Sequence, residues 1–238
     1  KEFKITRATI IVPTLDWKMI KAGESEERED IFYVQLHNFN ANASSLFREA
    51  SLAALFKGAR GVVLDLRNDA GGYLDVAVDI AGWFIDRGDI IVKEKFRDAK
   101  TQNLVSRGNS AFRNIPVVVL VNNGSASASE IVAGALRDVL GAKLVGVKTF
   151  GKGSVQELEY LKDGSTLKIS TAEWLTPKGA VINKKGLEPD IVIKEPEEKK
   201  DDNKKKEPEK DIQLEKALEV LRPQLSKEKP LQTIILGL

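Results

Sequence analysis

PVVVLVNNGSASASEIVAGAL, residues 116–136, decides the fold. An unbroken, β-branched apolar run of strand length gives way to Asn122-Asn123-Gly124 and then to an apolar segment that reads as a helix starting near Ser127. A continuous apolar strand is one buried on both faces, as in a parallel sheet covered by helices. In open α/β sheets functional groups collect at the carboxyl ends of strands. The first turn of a helix adds unpaired N–H groups and partial positive charge. Three serines, Ser125, Ser127 and Ser129, crowd this join. From the residues alone two readings stay open. One is a helix cap, worth about 1 kcal/mol; the other is a nucleophile beside amide donors. One cap does not need three serines.

Outward from that stretch the same alternation repeats. IFYVQLHNF (31–39) and GVVLDL (61–66) read as strands, as do DIIVKEKF (89–96) and the 3–13 segment, which alternates apolar and polar and ends at Pro13. Residues 42–59 read as a helix with Leu46, Leu52, Leu55 and Phe56 near helical spacing, and YLDVAVDIAGWFIDRG (73–88) as a helix closing at Gly88. The charged 14–30 segment is expected to loop outward, and 142–161 and 165–179 to form short strands joined by glycine turns. The expected class is α/β, a mainly parallel sheet covered by helices with smaller β-rich parts. The expected division is a core over 1–193, a charged linker over 194–210 with almost no apolar residues, and a short amphipathic helix followed by an apolar tail over 211–238.

Composition narrows the chemistry. The chain has 238 residues, is 42% apolar, and balances 37 basic against 35 acidic residues for a net charge of +2. That balance gives no pull toward nucleic acid or anionic lipid. No apolar run reaches the length of a membrane span. The absence of cysteine excludes disulfides, thiolate nucleophiles and thiolate metal sites. The single histidine, His37, precludes a histidine-rich metal site. The chain starts at Lys1 and its one methionine is Met19, so it is read as a processed product or an excised fragment.

A serine nucleophile needs a base. His37 has no acidic residue beside it in sequence to orient it, and reads as a packed or surface residue. Lysine can serve if burial leaves its amine neutral. Lys152 lies between Gly151 and Gly153 in TFGKGSVQ (149–156), where the alternative is an exposed turn tip. Gly71-Gly72, directly after a buried strand, fits a tight turn and a set of exposed amide donors equally well.

LDLRNDAGG, VNNGSASASEIVAGAL, VGVKTFGKGSVQ and GLEPDIVI, taken in order, resemble the carboxyl-terminal processing peptidases, or tail-specific proteases, over about residues 3–194. The resemblance implies a ClpP/crotonase-like core and a Ser-Lys dyad. Ser127 would be the nucleophile and Lys152, 25 positions on, the general base. Gln156 would orient the lysine. Backbone N–H groups of Gly72 (or Gly71) and Ala128 would form the oxyanion hole, leaving Ser125 and Ser129 structural, as caps. A neutral Lys152 would need an apolar enclosure, with Phe150 and Val155 as walls. A neutral Gln156 would position the amine without favouring its charged form. No cofactor or metal is implied. The partners implied are polypeptides with free apolar C-termini, in an extracytoplasmic compartment, with self-association left open. The family's PDZ domain has no counterpart in these residues. Two other readings remain: a catalytically silent peptide-binding module, and an acyl-CoA enzyme of crotonase type. The apolar end LQTIILGL (231–238) itself resembles a substrate tail, or else packs on the body.

Overall fold

A computed structural model describes residues 13–23, 27–194 and 210–225. Its elements are β1 (Leu15–Lys21), β2 (Glu29–Leu36), α1 (Ala43–Phe56), β3 (Gly61–Asp65), α2 (Leu74–Ala81), β4 (Ile90–Phe96), β5 (Thr101–Val105), β6 (Val117–Val121), α3 (Ala128–Leu140), β7 (Lys143–Gly146), β8 (Ser154–Tyr160), β9 (Thr166–Leu175), β10 (Ile191–Val192) and α4 (Ile212–Leu221). The expected strand over 3–13 apart from Pro13, the expected charged linker over 194–210 apart from its two end residues, and the apolar tail lie outside the described residues.

The main sheet runs β1-β2-β3-β6-β7-β10. All neighbours in it are parallel except β1, which pairs antiparallel with β2. Its central strands β3 and β6 are buried at every position, as their unbroken apolar runs predict. Alternate residues divide between two faces. Phe32, Val34, Val62, Leu64, Val119, Val121 and Leu144 face the larger core under α1, α2 and α3. Ile31, Val63, Val118, Leu120 and Val145 face the other side, where Ala217 and Leu221 of α4 cover them. A second sheet, β5-β4-β9-β8, is antiparallel and ends on β8 as an edge. The class is α/β.

Three local readings change. Residues 15–21 form strand β1 instead of looping out, in register with β2 from Leu15↔Leu36 to Ile20↔Ile31. Its alternation Leu15, Trp17, Met19 packs on the core while Asp16 and Lys18 take the other face, a period of two hidden by charge. In α1 the buried stripe is Ala43, Phe47, Ala50 and Ala54, whereas Phe56 is 76% exposed and Leu46 and Leu52 are exposed. Alanines bring this helix close to the sheet and leave Phe47 to stack with Phe84 at 6.2 Å and Trp83 at 6.3 Å. α2 stops at Ala81, short of Gly88. A side chain on Gly82 would meet the Gly108 backbone, and the chain turns there to drive Trp83, Phe84 and Ile85 into the core.

Candidate active site

The turn from β6 into α3 is held by its own polar side chains. Asn122 Oδ1 accepts the amides of Gly124 and Asn68, each at 2.9 Å. Ser125 Oγ accepts the Asn122 amide at 2.9 Å and donates to Leu66 O at 2.8 Å. Ser129 Oγ donates to Asp69 O at 2.9 Å. Ser125 and Ser129 are both fully buried and stitch this turn to the loop after β3, a different task from the capping expected of them. Ser127 is left half-buried at the N-cap position of α3, with φ 57° and ψ −114°. A non-glycine residue held there stores about 1–3 kcal/mol of strain. Ser127 and Glu130 form a capping box at this helix start.

The glycine turn faces it. Gly71 has φ 94°, and a side chain there would lie 2.8 Å from Ser127 Cβ and 2.9 Å from Ala128 N. Only glycine lets the two backbones meet this closely. The Gly71 amide donates to Asp69 Oδ1 at 2.8 Å, so it is engaged. The Gly72 and Ala128 amides have no acceptor among the described residues. Of the three donors expected at the oxyanion hole, Gly72 and Ala128 are therefore the open pair.

Asp69 is fully buried, and its second carboxylate oxygen has no hydrogen-bond partner. Burial pushes its pKa from 3.8 up to about 7, against the opposing pull of the Gly71 amide, Ser129 and His37. Between pH 4 and 7 the folded chain thus holds a proton that the unfolded chain has lost, so this group's contribution to stability falls as pH rises through that window. Asp69→Asn should remove the slope. Thermal melts should show the variant gaining on wild type from pH 5 to pH 8; a difference that stays the same at both pH values would contradict this.

Glu130, three residues after Ser127, was not anticipated as a site residue. Its carboxylate is wholly buried and accepts four hydrogen bonds. Oε2 takes the amides of Ser127 at 3.0 Å and Lys152 at 2.8 Å. Oε1 takes the Gly151 amide at 2.7 Å and Thr149 Oγ1 at 2.5 Å. The backbones of Ser127 and Lys152 therefore meet on one carboxylate oxygen. The lysine loop is further held by Phe150 N to Ser125 O at 3.0 Å and Lys184 N to Gly151 O at 2.7 Å. The sequence did carry a signal: Ser-x-x-Glu at a helix start is the capping-box spacing.

The side chains differ from the expected enclosure. Lys152 is exposed, and Phe150 is 67% exposed, so Phe150 does not wall the lysine. Val155 is partly buried against the main core. Gln156 is exposed on edge strand β8, opposite Ser170. Among the described residues no hydrogen bond joins Lys152 Nζ to Ser127 Oγ or to Gln156. His37 does have an orienting carboxylate, Asp16 Oδ2 at 2.8 Å, supplied by the unexpected strand β1. Two residues on, Phe39 exchanges backbone hydrogen bonds with Gly71 and Tyr73. Among the described residues no group of three or more acidic or histidine side chains could hold a metal ion, and no helix is long and apolar enough to cross a membrane.

The family profile described as "Peptidase family S41" matches residues 30–193, from β2 through β10. The chain belongs to peptidase family S41. Among curated S41-like relatives, the "Probable CtpA-like serine protease" of Staphylococcus epidermidis is 40% identical over 197 residues, covering 82% of this chain and 38% of the relative. Its Staphylococcus aureus counterpart is 41% identical over 197 residues with the same coverage, 82% and 38%. The S41 chain thus spans 38% of the length of these relatives. Among solved structures, the photosystem II D1 C-terminal processing protease superposes with a TM-score of 0.72 at 33% identity, over 78% of this chain and 49% of the other.

Proposed function

We propose that this chain is the catalytic core of a serine endopeptidase that cuts extended polypeptides near their C-termini. The observation that carries the reading is Ser127 on its strained turn, packed against Gly71 next to the open amides of Gly72 and Ala128 and sharing Glu130 with the Lys152 loop. Ser127 Oγ attacks the scissile carbonyl carbon and Lys152 Nζ takes its proton. The tetrahedral oxyanion lies against the Gly72 and Ala128 amides, at the positive end of α3. Lys152 then returns the proton to the leaving amine. Water, deprotonated by the same lysine, hydrolyses the acyl-enzyme, and the lysine passes that proton to Ser127 Oγ as it leaves. Gln156 orients the amine. A polypeptide would add alongside edge strand β8, next to Lys152. Backbone pairing of this kind tolerates varied side chains, as a processing enzyme of an extracytoplasmic compartment requires.

One observation favours a second reading. The His37–Asp16 pair at 2.8 Å is the orienting arrangement of a histidine base. In that case Ser127 would surrender its proton to His37 and Lys152 would be dispensable.

The test pairs substrate with a covalent probe. Incubation with an unstructured peptide bearing an apolar free C-terminus should give products cut near that end, read by mass spectrometry. A serine-directed phosphonate should stop the reaction and add one adduct, mapped to Ser127. Persistent absence of cleavage, or an adduct on another serine, overturns the proposal.

A further inference from the structure

Arg67 is the second residue after β3 and opens the loop that carries Gly71 and Gly72. Its guanidinium is largely buried, and all five of its N–H donors are used. Asp65, fully buried and also bonded by Tyr33 Oη at 2.8 Å, accepts from Nε at 3.0 Å and Nη2 at 2.6 Å. The remaining donors go to the start of α4. Nη1 and Nη2 bond Asp211 at 3.0 and 2.7 Å, and Nη1 bonds Gln213 Oε1 at 3.0 Å. Gln213, also fully buried, fixes itself by donating to Ile193 O at 2.7 Å. These partners lie 144 and 146 positions from Arg67, beyond the residues 30–193 that match the S41 family.

Directly after Arg67 the chain is held from the opposite side. The Asn68 amide bonds Asn122, and Asp69 O accepts from Ala126 at 3.0 Å and Ser129 at 2.9 Å. The turn bearing Gly72 is therefore clamped between the serine loop and α4. Without α4, three of the five guanidinium donors would lose their acceptors, and Asp65 alone would hold Arg67.

We infer that the start of α4 is part of the active-site frame: Asp211 and Gln213 are positioning residues that hold the oxyanion turn through Arg67. This rests on the peptidase reading above. Docking of α4 sets the rate of the chemical step and leaves substrate affinity nearly unchanged.

Asp211 has a second role that the test must separate. It caps α4 by accepting the Leu214 amide at 2.9 Å. Serine caps as well as aspartate but is too short and uncharged to clasp a guanidinium. Asp211→Ser in the full chain should therefore keep α4 folded while removing two of the three bonds that tie Arg67 to it. Leu221→Ala, which removes buried packing and leaves Asp211 in place, is the comparison of lost stability. Expected in Asp211→Ser is a rise of about tenfold or more in amide exchange at Asn68 and Gly71 under native conditions. Peptide cleavage should show kcat about tenfold lower with KM within about twofold. Leu221→Ala should lower the melting temperature at least as much, with smaller changes in both. Unchanged exchange at Asn68 and Gly71 in Asp211→Ser overturns the inference, and so does an equal response to Leu221→Ala at matched stability. If wild type itself cleaves nothing, it is the peptidase reading that fails, and the exchange measurement still decides whether α4 holds the turn.

Discussion

Alanine at Ser127 should reduce kcat by about 10⁴-fold or more, and alanine at Lys152 by about 10³-fold, with KM for the peptide little altered in both. Loss of the nucleophile removes the covalent route altogether. Loss of Lys152 as base would leave a hydroxyl that must ionise unaided, with the proposed donors, the Gly72 and Ala128 amides, still in place to stabilise an oxyanion. Lys152→Arg should rescue nothing, because a guanidinium keeps its proton. His37→Ala should fall only a few-fold, through the slackening of Phe39 against the glycine turn. Initial rates on one peptide rank the four variants. A severe loss in His37→Ala together with near-normal Lys152→Ala would transfer the role of base to the His37–Asp16 pair.

The second large effect belongs to Glu130. Glu130→Ala leaves four donors without an acceptor: the amides of Ser127, Gly151 and Lys152, and the Thr149 hydroxyl. The Gly151 and Thr149 donors are in buried bonds, where an unsatisfied group costs about 1–3 kcal/mol each. Even with water reaching the part-buried Ser127 and Lys152 amides, the sum is a large share of the stability of a small domain, about 5–15 kcal/mol. Glu130→Ala should therefore accumulate poorly or melt far below wild type. Glu130→Gln is the sharper measurement. It preserves shape, but its NH₂ must face donors on one side, so about 2–4 kcal/mol should be lost in urea denaturation. Folded protein should also show depressed kcat, because Ser127 and Lys152 lose their common anchor. A glutamine variant that denatures at the wild-type midpoint and turns over normally would remove Glu130 from both roles.

The parts of this site that could be read in the sequence are those built from consecutive residues. The buried runs of β3 and β6, the glycine turn after one and the serine turn after the other are local patterns, and their placement at adjacent strand ends follows from parallel topology. What escaped reading is what the chain assembles across distance. The capping-box spacing of Ser127 and Glu130 is visible, but nothing local says that three of the four donors to that carboxylate come from residues 149–152. The partner of His37 lies 21 positions upstream, on a strand disguised by its charged outer face. Large apolar side chains pointed to the wrong stripe of α1, because a close-packed helix uses alanine for contact. The enclosure of Lys152 was expected from the needs of the chemistry, not from any pattern in its neighbours, and the side chain is exposed.

The hydrogen bond from Gln213 to Ile193 also bears on how this sequence can change in length. It fastens together the two ends of the charged segment 194–210, so whatever lies between them is a closed excursion from a fixed point. The entropy of closing such an excursion grows only with the logarithm of its length, about 0.6 kcal/mol for each doubling. Residues can be added or lost there, up to the insertion of a whole folded module, with little strain reaching β10 or α4. The segment between the S41 domain and its clasp can thus drift in length, or take an engineered graft, at small cost to closure.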